Sequence, residues 1–302
     1  PGQVIVDVEV EETTTGSLSF GGTYSTNAGF GLLIQFRETN FLGRGQQLNL
    51  SISGATDNQV YGLKFTEPAL LGRDVEFDLD VGYRESVNSF ANFNTQQVNL
   101  QPGISFPISE NGRFGVYVFG EQVKMTNSGA LTGALVAAEI ARGSVSNAGL
   151  GYTYSFDNRR TGLDTNNIML FEFGQKIAFG GDSQYIKSTA KGIAQTKVLN
   201  EEVTLRATVE GGVLSYSKGS SRSVDRFQIG SELIRGFTPD GIGPREVVAG
   251  VSNDSLGGKF FAVARFEAEF PLGLPEEYGV SGGLFYDMGS VWGLDQTNAN
   301  TL

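Results

Sequence analysis

Apolar and polar residues alternate with period two through segment after segment of this chain, the pattern of strands with one apolar and one polar face. In "RDVEFDLDVGYR" every odd position from Val75 to Tyr83 is apolar, and Asp74, Glu76, Asp78 and Asp80 take the other face. In "EVTLRATVE" Val203, Leu205, Ala207 and Val209 alternate with Glu202, Thr204, Arg206 and Thr208. About thirteen such segments are expected, near 16–25, 28–39, 45–54, 58–67, 73–86, 94–107, 112–126, 143–157, 166–178, 183–197, 201–215, 258–270 and 278–292. Most run about 9–14 residues, enough to cross a bilayer when tilted by roughly 45°.

Two architectures satisfy that pattern. A soluble sandwich buries its apolar faces against a second sheet. A transmembrane barrel turns them to lipid and keeps a polar interior. Segment length favours the barrel, since strands of soluble proteins average about 5–6 residues. So do the connections, which alternate between compact ("ETNFLGRGQ", "EPALLGRD", "PISENGR") and long (126–142 and 216–257). Aromatics at segment ends, among them Tyr83, Tyr152, Tyr154, Phe156 and Tyr216, suit a membrane interface. The charged row from Asp74 to Asp80 reads most simply as the wall of a hydrated channel. Within 131–141, "LTGALVAAEIA", a short amphipathic helix is expected inside a long outer loop.

Composition narrows the chemistry. The 302 residues contain no cysteine and no histidine, which removes disulfides, thiolate or imidazole metal sites and Ser-His-Asp catalysis. No phosphate-binding loop or G-x-S-x-G elbow is present. An enzyme is therefore not expected, and no cofactor or metal is expected. A formal charge of −11 argues against nucleic acid as a partner. The chain opens on "PGQVIVDVEVEE", a strand pattern of the kind that ends a preceding soluble module, as in a mature or cut fragment.

One stretch breaks the strand pattern. "LIRGFTPDGIGP", Leu233 to Pro244, places an arginine among glycines and prolines that cannot continue a sheet. "LIRGF" followed by "IGP" resembles the signature loop of the BamA family of outer-membrane assembly factors. Three further matches lie in order: "GGTYSTNAGFGLLIQFRETNFLGRGQ" (21–46) resembles the first hairpin, "AVARFEAEFP" (262–271) the strand after the loop, and "GLFYDMGSVW" (283–292) a later strand with its Asp and Gly. The resemblance covers nearly the whole chain.

That resemblance implies an all-β transmembrane antiparallel β-barrel with a long loop folded into its lumen. It implies sixteen strands, of which about 13 are visible. It makes 1–12 the end of the last POTRA module and 13–302 the barrel domain, with C-terminal strands missing from the segment. The parity of the strands turns Arg265, Glu267, Glu269 and Asp287 inward. Arg235 is then expected to latch the loop onto Asp287, with Glu267 as a second or competing partner. Ile234, Gly236 and Phe237 complete the latch, Gly236 by permitting a tight turn and Phe237 by packing on the inner wall.

The first strand, with Leu18, Phe20, Gly21, Gly22 and Tyr24, is expected to be a weakly closed seam. The function implied is insertion of β-barrel proteins into the bacterial outer membrane by strand templating at that seam. The implied partners are unfolded barrel clients, outer-membrane lipid, and accessory lipoproteins bound through upstream POTRA modules. Alternatives are a two-partner-type polypeptide secretion pore, a passive porin and, more remotely, a soluble adhesin-like protein.

Overall fold

The computed structural model describes residues 13–25, 29–55, 58–88, 92–128, 131–162, 166–248, 252–273 and 279–302. Thirteen strands form one antiparallel sheet in chain order. They are β1 (Gly16–Ser25), β2 (Gly29–Phe41), β3 (Gln46–Ala55), β4 (Asn58–Glu67), β5 (Glu76–Asn88), β6 (Phe93–Pro107), β7 (Gly112–Asn127), β8 (Ser144–Asp157), β9 (Asn167–Gly181), β10 (Gln184–Val198), β11 (Val203–Lys218), β14 (Phe260–Pro271) and β15 (Ser281–Trp292). Between β11 and β14 a long loop carries its own hairpin, β12 (Arg245–Val248) with β13 (Ser252–Ser255), which the sequence reading did not anticipate. The strand expected within residues 1–12 lies outside the described residues.

Period-two alternation sets the register, because a slip by one residue would exchange the two faces. Asp80 stands opposite Lys64 on one side and Gln101 on the other, while Leu79 stands opposite Phe65 and Pro102. Leu18, Phe20, Phe30, Leu32, Ile52, Val98, Val118, Met169, Val209 and Tyr286 share the second face and are exposed. Large aliphatic and aromatic side chains on a continuous outer surface are what lipid requires. The inner face is polar and cross-linked between strands. Thr66 donates to Asp78 (2.7 Å), Asn99 donates to Asp80 (2.6 Å), and Lys176 and the Tyr185 hydroxyl both donate to Glu121 (2.6 Å each).

All connections at one end are short, and the β7–β8 and β11–β14 connections at the other end are long. The helix in the β7–β8 loop, α1 (Ala134–Ala141), starts a turn later than the expected span, and its buried face carries an acid, Glu139, beside Val136. Gly133 at its N-cap has no side chain to satisfy the first N–H groups. Two carboxylates from β12 and β13 do so instead: Asp254 accepts from the Gly133 N–H (2.6 Å) and Glu246 from the Leu135 N–H (2.9 Å). Anionic groups at a helix N-terminus also oppose the positive end of its dipole. Thus the hairpin within one long loop caps the helix of the other.

Candidate functional site: the loop latch and the dome above it

The β11–β14 loop enters the inner side of the sheet and lies on β14 and β15. Its apolar anchor is Ile234, buried with Ile229 against Val263 of β14 and Val291 of β15. Gly289 makes this approach possible: a Cβ there would stand 2.9 Å from Ile234 Cδ1 and 2.8 Å from Val263 Cγ2. One residue beyond the anchor, the chain delivers Arg235 onto the charged row. Its Nε and Nη2 donate to the two oxygens of Asp287 (2.7 and 2.6 Å), its backbone N–H donates to the same carboxylate (3.1 Å), and Nη1 donates to Glu267 (2.7 Å). The guanidinium also lies over the Phe285 ring, 3.8 Å from its centroid. A planar fork can meet a bidentate carboxylate, a second carboxylate and an aromatic face at once; an ammonium cannot.

The two ends of the latch differ in solvent access. The Asp287 side chain is 3% exposed, whereas that of Arg235 is 39% exposed. The site is therefore a half-wet ion pair, worth less than a dry one but also less costly to bury. Hydrogen bonding to Asp287, assisted by Glu267, raises the already high pKa of the Arg235 guanidinium, so it stays charged at every attainable pH. Gly236 follows at φ +89°, a left-handed conformation that lets the chain reverse immediately after the arginine. Phe237 does not take the place expected of it. Its side chain is 51% exposed, and Ile234, one turn of the loop earlier, fills the space on the inner wall.

Charges continue sideways from the latch. Arg206 of β11 stands 3.8 Å from Glu267, Arg265 donates to Glu210, and Lys191 stands 3.5 Å from Glu210. Every member alternates in sign with its neighbour, which stabilises each charge locally.

Above the latch, toward the long-loop end, lies a cluster that sequence reasoning missed. Arg226 of the loop is buried; it donates to Glu139 of α1 (2.8 Å), to the Leu256 carbonyl (2.6 Å) and to the Ser221 carbonyl (3.0 Å). Arg222 is fully buried and donates to the Val123 carbonyl (3.0 Å) and to Asp225 (3.2 Å). Glu139 also accepts from the Ser223 N–H (2.7 Å). Phe93, Met125, Val136 and Leu256 form the apolar floor of this dome, with Leu294 beside them. The one available hint was "SRSVDRF", two arginines four residues apart.

The seam residues lie on β1, which pairs with β2 over all ten of its residues and, among those described, with no other strand. Leu18, Phe20 and Tyr24 project to the exposed outer face. Added Cβ atoms at Gly21 and Gly22 would meet neighbours only at ordinary distance, 3.7 Å in each case, so packing against β2 does not demand glycine there.

A long-stranded antiparallel sheet with a lipid-compatible outer face, a charged interior and a loop latched inside defines a plugged membrane β-barrel. The chain belongs to the Omp85 superfamily, whose domain matches residues 40–302. It is 26% identical to the outer membrane protein assembly factor BamA of Neorickettsia risticii, over 97% of this chain and 39% of that protein. It is 24% identical to the sorting and assembly machinery component 50 homolog of Xenopus tropicalis, over 93% of this chain and 59% of that one. Among solved structures it superposes on BamA from Haemophilus ducreyi lacking POTRA domains 1–3, with a TM-score of 0.79 at 19% identity, over 94% of this chain and 59% of the other. The chain thus spans between about two fifths and three fifths of these relatives. The all-β barrel expected from the alternation is the fold observed, and the family resemblance read from the loop is the family found. The protein is a membrane β-barrel of an outer membrane.

Proposed function

We propose that this chain is the barrel portion of a bacterial factor that assembles β-barrel proteins into the outer membrane, with β1 as the template strand. What supports the reading is the Omp85 domain match together with the similarity to assembly factors over nearly the whole chain. In this reading β1 parts from its closing neighbour and offers backbone donors and acceptors to an incoming strand, which binds by β-augmentation. The polypeptide chains acted upon are unfolded barrel clients, and their own folding supplies the driving force. Accessory lipoproteins reach the barrel through upstream POTRA modules. The Arg235 latch holds the loop on β14 and β15 and keeps that wall rigid while β1 exchanges partners. The relatives named as assembly factors support this over a secretion pore or a porin.

The test uses the full-length protein in liposomes, with folding of an added client followed by heat-modifiable gel mobility. Proline is placed in turn at positions 18 to 24. At alternate positions the missing N–H faces away from β2 and leaves the β1–β2 ladder intact. There the barrel should fold and client folding should slow. Full client-folding rates at those positions would remove the templating role.

A further inference from the structure

Three turns at the short-turn end share a feature that client assembly does not use. In the β2–β3 turn Leu42 and Gly43 take φ +56° and +70°; in the β4–β5 turn Leu71 and Gly72 take +57° and +73°. Each pair is followed by an arginine, Arg44 and Arg73, so the same Leu-Gly-Arg unit is built twice. In the β10–β11 turn Leu199 again occupies the first left-handed position, at φ +52°. Such positions favour glycine or asparagine, because a Cβ is crowded there. Leucine is used all the same, and its side chain gains no packing in return: Leu42, Leu71 and Leu199 are 74%, 89% and 71% exposed.

A strained residue that presents an apolar side chain outward points to something that receives it. The arginines are equally unengaged, since among the described residues neither Arg44 nor Arg73 makes an ion pair. The nearby carboxylates are occupied: Glu38 accepts from the Asn40 N–H, Glu67 from Gln46 and the Ala69 N–H, and Asp74 stands 3.9 Å from Arg113. The Gln46–Glu67 bond (2.6 Å) ties the two Leu-Gly-Arg turns side by side. The third turn lies across the sheet, with β6 to β9 intervening. One protein partner would touch one sector of this rim, whereas a lipid leaflet meets all of it.

We propose that Leu42, Leu71 and Leu199 insert into the lipid leaflet at the short-turn end, and that Arg44 and Arg73 bind the phosphates of its phospholipids. The leucines sit at the acyl boundary and the guanidinium groups at headgroup depth, the arrangement that anchors interfacial segments. Bidentate hydrogen bonding suits guanidinium to phosphate. The anchor is a property of the membrane-inserted barrel and does not depend on strand templating.

Because the chain has no cysteine, single Leu42→Cys, Leu71→Cys and Leu199→Cys variants of the full-length protein can carry one environment-sensitive fluorophore each. Thr297→Cys, in the exposed segment at the long-loop end, is the control. In phosphatidylcholine vesicles, brominated acyl chains should quench the three turn probes at least about twofold more than the control, and aqueous iodide should quench them less. Iodide quenching equal to the control overturns the proposal. So does protection from both quenchers, which would mean a soluble neighbour covers the rim. Adding phosphatidylglycerol should deepen the probe at 71, and Arg44→Gln with Arg73→Gln should abolish that response; an unchanged response overturns the phosphate contact. As a check on folding, the triple leucine-to-glycine variant should be at least as heat-stable as wild type in detergent yet gain less on transfer to bilayers. An equal gain would also overturn the anchor.

Discussion

Arg235 and Asp287 are joined three ways: by Nε at 2.7 Å, by Nη2 at 2.6 Å and by the arginine's own backbone N–H at 3.1 Å. The backbone bond means that the loop itself, and not only its longest side chain, is registered on β15. Arg235→Ala removes two of the three bonds to Asp287 and strands a carboxylate that is 3% exposed. The arginine end is wet, so the expected loss lies between the surface and buried limits, about 1–3 kcal/mol. Arg235→Lys should recover less than half of it, because an ammonium cannot span both oxygens of Asp287 and reach Glu267. Denaturant unfolding of the barrel in detergent, read against wild type, checks both.

Gly289 sets how close the loop comes. Gly289→Val places side-chain atoms where Ile234 Cδ1 and Val263 Cγ2 already stand, so the loop must lift off the wall. Overpacking of this kind costs about 1–3 kcal/mol. The distinguishing readout is hydrogen exchange at the Arg235 N–H, which donates to Asp287: it should be protected with glycine at 289 and exposed with valine.

Arg226 and Glu139 lock one long loop to the other. The pair is buried, and both partners hold further bonds within the dome. Glu139→Ala should cost about 3–5 kcal/mol, since it leaves a buried guanidinium without its anion. Arg226→Met together with Glu139→Leu should cost much less, because neither charge is then orphaned. Hydrogen exchange at the backbone of 134–141 reports the loss locally, and similar protection in the single and double variants would contradict it.

Asp295 gives the dome a pH dependence. Partial burial pushes its carboxyl upward, but hydrogen bonds from Lys259 (2.6 Å) and from the Ser221 hydroxyl and N–H (2.6 and 2.7 Å) outweigh that and hold it below the usual aspartate range. A folded-state pKa below the unfolded value stabilises the folded form above about pH 4 and is lost as pH falls through the folded value. The contribution is under about 1 kcal/mol for so open a pair. Exchange protection of the Ser221 N–H should therefore weaken over the range from about pH 4 downward in wild type. In Asp295→Asn the protection should be weak at both ends of that range.

Much of this was readable without coordinates, and the reason is geometric. A barrel strand shows its two faces directly as a period of two, so thirteen segments, their direction and the inward parity of Glu267 and Asp287 follow from the sequence. The arginine was visible because glycine and proline isolate it from any strand. What could not be read was the destination of loop side chains. Phe237 was expected to pack on the inner wall, yet Ile234 is buried there, since the left-handed Gly236 turns the chain between them. The hairpin β12–β13 escaped notice because four-residue strands of Arg245–Val248 and Ser252–Ser255 carry too short a pattern. No sequence pattern singles out Asp254 and Glu246, yet both are fully buried at the start of α1.

The sequence by itself determined the sheet, its two faces and the family to which the chain belongs, because alternation and ordered motifs are local properties of consecutive residues. Only the tertiary structure decided which acids meet Arg226 and the helix N-terminus. Those partners lie between 87 and 121 residues away along the chain. A charge finds such a partner by the packing of loops over a finished wall, and no periodicity encodes it.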